Sequence, residues 1–370
     1  MDQNISLPND ERIILTLRSL YAKYGYRPYR MSKFEEYDLY VRNKDFLVSD
    51  SVLTFTDRDG RLRALKPDVT LSIIKNTRDC GGALKRLCYD ENVYRVPKGS
   101  RSFREQMQVG LELIGALDLC GVSEVLWLAA ESLASLEPDF VLDVSHLGFA
   151  EAAAALLPAG KARDAFLKCI ADKNFHEAAA LADEYAPDSA LTDSVRALTS
   201  LSGPAPEVLA AAKALGGKLG CPEAARELET VLSVFADTPF ADRVRLDLSV
   251  FGDMNYYNGI VFRGFLRDVA APVLSGGQYD RLMRKMRRTD RAAGFAVFLD
   301  LLERLNETAP RPDADVLLLY PASAAPAELR RAVDSLRAEG LSVYAAREED
   351  AAVSCLRTAE LSRGEVIFRD

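Results

Sequence analysis

Phe103-Arg104-Glu105-Gln106-Met107-Gln108-Val109-Gly110-Leu111-Glu112-Leu113-Ile114-Gly115 carries the fold. Gln108, Gly110 and Glu112 share one parity and Val109, Leu111 and Leu113 the other, which is the period of a strand with one polar and one apolar face. Gln108 and Glu112 therefore point the same way. Just upstream, Leu84 to Arg95 reads as a second long strand, joined to the first by the basic loop Pro97-Lys98-Gly99-Ser100-Arg101. An amide and a carboxylate on one sheet face, near Arg95, suit a ligand with both an ammonium and a carboxylate, because Glu accepts from the amine while Arg forks onto the acid. The same pattern also fits a solvated sheet face with a surface ion pair.

Outward from this hairpin, Glu11 to Tyr24 has apolar residues at helical spacing (Ile13, Ile14, Leu17, Leu20, Tyr21) and predicts an amphipathic opening helix. Val52 to Thr56 and Arg61 to Leu65 flank Asp57-Arg58-Asp59-Gly60, a hairpin signal, and Pro67-Asp68-Val69-Thr70 opens a helix with Asp68 near its positive end. Residues 150–240 are rich in alanine and leucine with breaks at Pro158-Ala159-Gly160, Pro187 and Gly203-Pro204-Ala205-Pro206, and predict a helical insertion. Strands return at Val244 to Phe251 and Ile260 to Leu266, and Ala293 to Leu305 is expected to form the last helix of the core. After Pro312, strand, helix and strand alternate at Val316 to Tyr320, Ala325 to Gly340 and Leu341 to Tyr344. The fold class is α+β: an antiparallel sheet flanked by helices over residues 1–312, with the helical insertion inside it, then a small α/β module over 313–370.

A chain of 370 residues with 48% apolar content exceeds the usual size of a single core. A net charge of −8 argues against nucleic acid, tRNA included, as the main partner. Met1 to Asp10 has no signal-like segment and no apolar run is expected to span a membrane, so the expected location is the cytoplasm. The six cysteines lack metal-ligand spacing, and neither His146 nor His176 has a Glu-x-x-His neighbour, so no metal site is expected. His146 falls where a strand turns into a helix and reads as a cap. The densest positive run, Arg281 to Arg291, reads as a solvated face or, alternatively, a docking surface.

Four segments, in order, resemble histidyl-tRNA synthetase, a class II aminoacyl-tRNA synthetase. Leu65-Lys66-Pro67-Asp68-Val69-Thr70 is similar to that family's Leu-Arg-Pro-Glu-x-Thr element, and Arg95 to Glu112 to its second class motif. Asn255-Tyr256-Tyr257-Asn258-Gly259 resembles the histidine-specific loop, and Gly276-Gly277-Gln278-Tyr279-Asp280 the Gly-Gly-Arg-Tyr-Asp turn. The resemblance implies a homodimer. It also implies a histidine pocket in which Asp68, Thr70 and Gln108 face the amino group, Arg95 the carboxylate, and Glu112 with Tyr257 the imidazole, with Tyr256 beside them.

The departures from that pattern fall on the activation chemistry. The family's arginine before its Gly-Leu-Asp-Tyr-Tyr run is Gly252 here, its Gly-Leu-Glu-Arg stretch is Phe298-Leu299-Asp300-Leu301, its motif-one proline is Ser32, and Arg95 is followed by Val96 and Pro97. Adenylate formation rests on positioning and charge stabilisation, so losing these cations implies no adenylation, no catalytic residues and no cofactor. A synthetase-like fold that keeps the amino-acid pocket resembles the regulatory subunits of ATP phosphoribosyltransferase. That resemblance implies a non-catalytic partner of the short-form catalytic subunit, required for the first step of histidine biosynthesis, binding L-histidine for feedback within a hetero-oligomer. The alternatives are an adenylating enzyme, either a degenerate histidyl-tRNA synthetase or an aminoacyl transferase, and a stand-alone amino-acid sensor.

Overall fold

In the computed structural model, which describes residues 8–43, 52–96, 102–187, 191–250, 256–302 and 312–369, Leu84–Arg95 and Arg104–Gly115 run antiparallel over their whole length. Leu84 lies opposite Gly115 and Arg95 opposite Arg104. They are β5 and β6 of a nine-stranded sheet with the spatial order β1 (Arg27–Pro28), β5, β6, β12 (Arg291–Phe298), β11 (Leu274–Gln278), β10 (Ile260–Leu266), β7 (Phe140–His146), β9 (Val244–Asp247), β8 (Ser202–Pro204). β1 is parallel to β5 and β7 to β9, while the other neighbours are antiparallel.

The two parities of β6 meet different surroundings. Val109, Leu111 and Leu113 pack with Val122, Val125, Leu126 and Ala129 of α4 (Leu119–Leu136) and with α1 (Asn9–Lys23), all of these side chains at most 1% exposed. A Cβ at Gly264 would lie 2.6 Å from the Leu133 side chain, so glycine lets α4 approach β10. α4 corrects one expectation, because its 18 residues are long and apolar enough by composition to cross a membrane. Here its apolar residues lie in the core against the sheet.

The other sheet face is covered by α3 (Val69–Asn76), α11 (Asp280–Lys285), α2 (Tyr37–Arg42) and a small sheet in the order β2 (Phe34–Glu36), β4 (Leu62–Leu65), β3 (Thr54–Thr56). The β3–β4 hairpin turns at Gly60, whose φ of +76° is the left-handed conformation glycine adopts freely. A second apolar cluster forms there from Ile73, Ile74, Tyr89, Tyr256, Tyr279 and Met283, among others.

The insertion comprises α5 (Leu147–Ala155), α6 (Lys161–Ala171), α7 (Phe175–Tyr185), α8 (Leu191–Ser200), α9 (Ala205–Lys218) and α10 (Pro222–Leu232). The break at Gly203-Pro204 is the edge strand β8, paired with β9. His146 caps α5: its Nδ1 accepts from Gly148 N at 3.0 Å while Nε2 lies 3.0 Å from Glu227.

The helix expected from Ala293 is instead β12, followed by the short 3₁₀ turn Leu299–Leu301. Ala293, Phe295 and Val297 lie in the core while Gly294 and Ala296 border a cavity on the other face, so the strand is covered on both sides. A short apolar run of that kind lacks the alternation that separates strand from helix. The positive run keeps Arg284, Lys285, Arg287 and Arg291 exposed, as a solvated face requires, while Arg288 pairs with Asp79 at 3.1 Å, Arg291 with Asp280 at 3.0 Å and Arg281 with Glu151 at 2.5 Å.

The chain divides into two compact units, Met1–Leu305 and Asn306–Asp370. The second unit has β13 (Ala314–Leu319), α12 (Pro326–Ala338), β14 (Val343–Ala346), β15 (Cys355–Ser362) and β16 (Glu365–Arg369) in the order β14, β13, β15, β16. Val316, Leu318, Ala332, Leu336, Ala359 and Leu361 form its core.

His146→Ala is expected to lower stability by about 1–2 kcal/mol through loss of the cap, with His146→Asn retaining most of it. Urea melts followed by fluorescence of Trp127, the chain's one tryptophan, measure the difference.

Candidate functional site

The polar parity of β6 faces a cavity of about 770 Å³, also lined by α3, the end of β5, Tyr256 and Tyr257, β10, β11 and β12. Asp68 is the N-cap of α3, its Oδ1 accepting from Leu71 N at 2.9 Å. Burial pushes its acid up, while Arg95 and the helix-end amides oppose that shift. Arg95, from the end of β5, donates from Nε to the Pro67 carbonyl at 2.6 Å and places Nη2 3.4 Å from Asp68 Oδ2. It braces the Pro67-Asp68 step against the sheet.

Glu112 lies at the bottom, 2% exposed. Its Oε1 accepts from Thr70 Oγ1 and its Oε2 from Tyr279 OH, both at 2.6 Å. Burial pushes its acid up to about 8, with the Asp68 charge adding and the two donated hydrogen bonds opposing. Gly294 is its register partner on β12, and a Cβ there would collide with the Glu112 carboxylate and the Leu111 carbonyl. Gln108, 3% exposed, pairs in register with Phe298 at the other end of β12, and both border the cavity. The solvated-face reading of Gln108 and Glu112 is thus replaced by a buried polar face.

Aromatic rings form the remaining wall. Tyr256 stacks obliquely on Tyr257 at 4.7 Å and on Tyr279 at 6.0 Å between ring centroids. Burial raises all three phenols, so they act as neutral donors. The run Gly276 to Asp280 holds this wall. Gln278 Oε1 accepts from Ile260 N at 2.7 Å, and Asp280 takes Ala292 N and Arg291 Nε at 3.0 Å each.

Asp68, Thr70, Arg95, Gln108, Glu112, Tyr256 and Tyr257 all border this cavity. Glu112 and Thr70 are bonded to one another, and Tyr256 is more a wall than a rim residue at 6% exposure. Ten further residues border it that sequence reasoning gave no ligand role, among them Tyr279, Arg263 and Phe298. Tyr279 stood within a quoted motif, and Arg263 interrupts the apolar run Ile260-Val261-Phe262-Arg263-Gly264-Phe265-Leu266, a signal that could have been used. Gly252, Asn255 and the loop Pro97 to Arg101 lie outside the described residues. The arrangement can hold a small zwitterion by its ammonium and carboxylate while a hydrogen-bonding ring reaches the buried carboxylate.

The fold is of the class II synthetase type, and residues 7–302 match the family model described as histidyl-tRNA synthetase. The crystal structure of an ATP phosphoribosyltransferase regulatory subunit/histidyl-tRNA synthetase from Bacillus halodurans superposes with a TM-score of 0.75 at 24% identity, covering 95% of this chain and 91% of that one. The ATP phosphoribosyl transferase (HisG:HisZ) complex from Thermotoga maritima has a chain of the same fold, with a TM-score of 0.63 at 19% identity over 81% of this chain and 98% of that one. The ATP phosphoribosyltransferase regulatory subunit of Symbiobacterium thermophilum is 31% identical over 90% of this chain and 85% of its own length. This chain belongs to the family of ATP phosphoribosyltransferase regulatory subunits.

Between pH 4.5 and about 8 the folded chain keeps a proton on Glu112 that the unfolded chain, with the ordinary value of 4.5, has released. Its contribution to stability is therefore lost as pH rises through that window, at up to about 1.4 kcal/mol per pH unit. Glu112→Gln is expected to remove that slope, so the variant gains on the parent between pH 5 and pH 8 in paired denaturant melts.

Proposed function

We propose that this chain binds L-histidine in the cavity over Glu112 and, assembled with the short-form ATP phosphoribosyltransferase catalytic subunit, reports histidine to it for feedback on the first step of histidine biosynthesis. The observation that carries this reading is the convergence of an amine receptor, Asp68 beside Thr70 and Gln108, with a ring receptor, Glu112 beside Tyr257, in one cavity. The spacing suits one molecule with an ammonium at one end and an imidazole at the other. The names of the relatives supply the partner, and the Thermotoga complex supplies a precedent for such an assembly. The chain acts as a homodimer within the hetero-oligomer, in the cytoplasm, without tRNA.

Phe298 supports the regulatory over the adenylating reading. It stands on the cavity wall opposite Gln108, where the family pattern has glycine, and Leu301 follows where that pattern has arginine. An aromatic ring and an isobutyl group give a triphosphate no charge to lean on.

Coupling works through linkage: histidine favours one arrangement of the pocket and dimer, and the catalytic subunits respond to that arrangement. Histidine should then bind with an affinity that changes, about 5- to 150-fold, when the catalytic subunit carries its substrates, and substrate affinity should change by the same factor when histidine is present. Calorimetric titration of the reconstituted complex reads both. Equal histidine affinity in the two states would sink the coupling, and ATP–pyrophosphate exchange by the chain alone would favour the adenylating alternative.

A further inference from the structure

We propose that Glu151, which belongs to the helical insertion and stands outside the cavity, is a positioning residue for the ligand site: acting through Arg281 and Asn258, it fixes where Tyr257 stands. For its ligand this rests on the histidine reading above. Tyr257 borders the cavity from the turn that leads into β10. A ring in a turn keeps its place only as well as the backbone beside it is held.

On the β11 side, Asn258 N donates to the Gln278 carbonyl at 2.8 Å and Ile260 N to Gln278 Oε1 at 2.7 Å. Gly259, at a φ of +68°, passes so near that a Cβ would lie 2.3 Å from the same Oε1, so the turn has no room to shift toward β11. On its other side lies α5. The first N–H of that helix, from Leu147, donates to the Gly259 carbonyl at 2.8 Å. One turn further along the same helix face, Glu151 meets Arg281 of α11 at 2.5 Å. Arg281 works in two directions. Its guanidinium reaches the insertion, while its backbone N–H donates to Asn258 Oδ1 at 3.0 Å; the Asn258 amide turns its Nδ2 toward Asp280 Oδ2 at 3.4 Å. Asparagine suits this place because one side chain both accepts and donates. α5 is in turn packed on α10 of the insertion, through His146 and Glu227 and at Gly148, where a Cβ would lie 3.0 Å from that of Ala224. A displacement of the insertion therefore reaches the two residues that follow Tyr257.

The test is charge reversal in the full-length chain, with L-histidine affinity read by calorimetry and hydrogen exchange of the Asn258 and Ile260 amides read without ligand. Glu151→Arg and Arg281→Glu, each alone, are expected to weaken L-histidine by roughly 3- to 10-fold and to speed exchange at both amides. The double variant, which restores an opposite-charge pair, should recover affinity and protection together. That recovery separates positioning from general damage to the fold. The proposal is overturned if Glu151→Arg leaves affinity and exchange as they are in the parent, or if the double variant recovers neither. If the parent binds no L-histidine, the histidine reading falls, and exchange still decides the role of Glu151: unchanged protection in Glu151→Arg overturns it.

Discussion

The burial of the Glu112 carboxyl is the constraint on which the other parts of this structure hang. A carboxyl out of water must be hydrogen-bonded or it costs several kcal/mol, and leaving one oxygen unmatched is the expensive case. Both oxygens are matched, one by Thr70 in the first turn of α3 and one by Tyr279 between β11 and α11. Two segments more than 200 residues apart in sequence are thereby tied to a single side chain of β6. Gly294 completes the arrangement by leaving room on β12. Packing and polar satisfaction thus act on the same residues.

A second layer keeps the α3 entrance in place. Lys66, fully buried, pairs with Glu91 of β5 at 2.7 Å, and Arg95 of the same strand reaches Pro67 and Asp68. Removing one partner of such a buried pair would strand a charge. Ligand-facing groups are therefore held by strands and a helix N-terminus, with a ring wall fixed through Gln278 and Asp280. A site built on rigid elements keeps its geometry when the chemistry around it changes. This gives a physical account of how one fold appears under both synthetase and regulatory-subunit names: the polar cavity is built into the core, so residues elsewhere on the fold can be exchanged without unfolding it.

Much of this was legible in the residues. Alternation at Gln108 to Leu113, the turn at Gly60, the helix start near Asp68 and the cap at His146 are local, and local patterns survive folding because backbone geometry writes them. The seven pocket residues were reached through motif resemblance, and the sheet brings them to one cavity. What failed was non-local. β12 was read as a helix because Ala293 to Phe298 is covered on both faces and shows no alternation, and the β15–β16 hairpin was not seen at all. Arg288 and Arg291 belong to ion pairs whose partners, Asp79 and Asp280, only the folded chain identifies.

Sequence by itself determined the polar and apolar faces of β6, the start of α3 and the helical insertion, since each follows from spacing and side-chain chemistry along one stretch, while the set of pocket residues came from motif resemblance. Tertiary structure alone decided that Glu112 is buried, with its acid pushed up to about 8, that Arg95 braces Asp68, and that Arg263 borders the cavity. Those outcomes depend on which strand lies beside which and on how much water remains between them, and neither is encoded in any single segment.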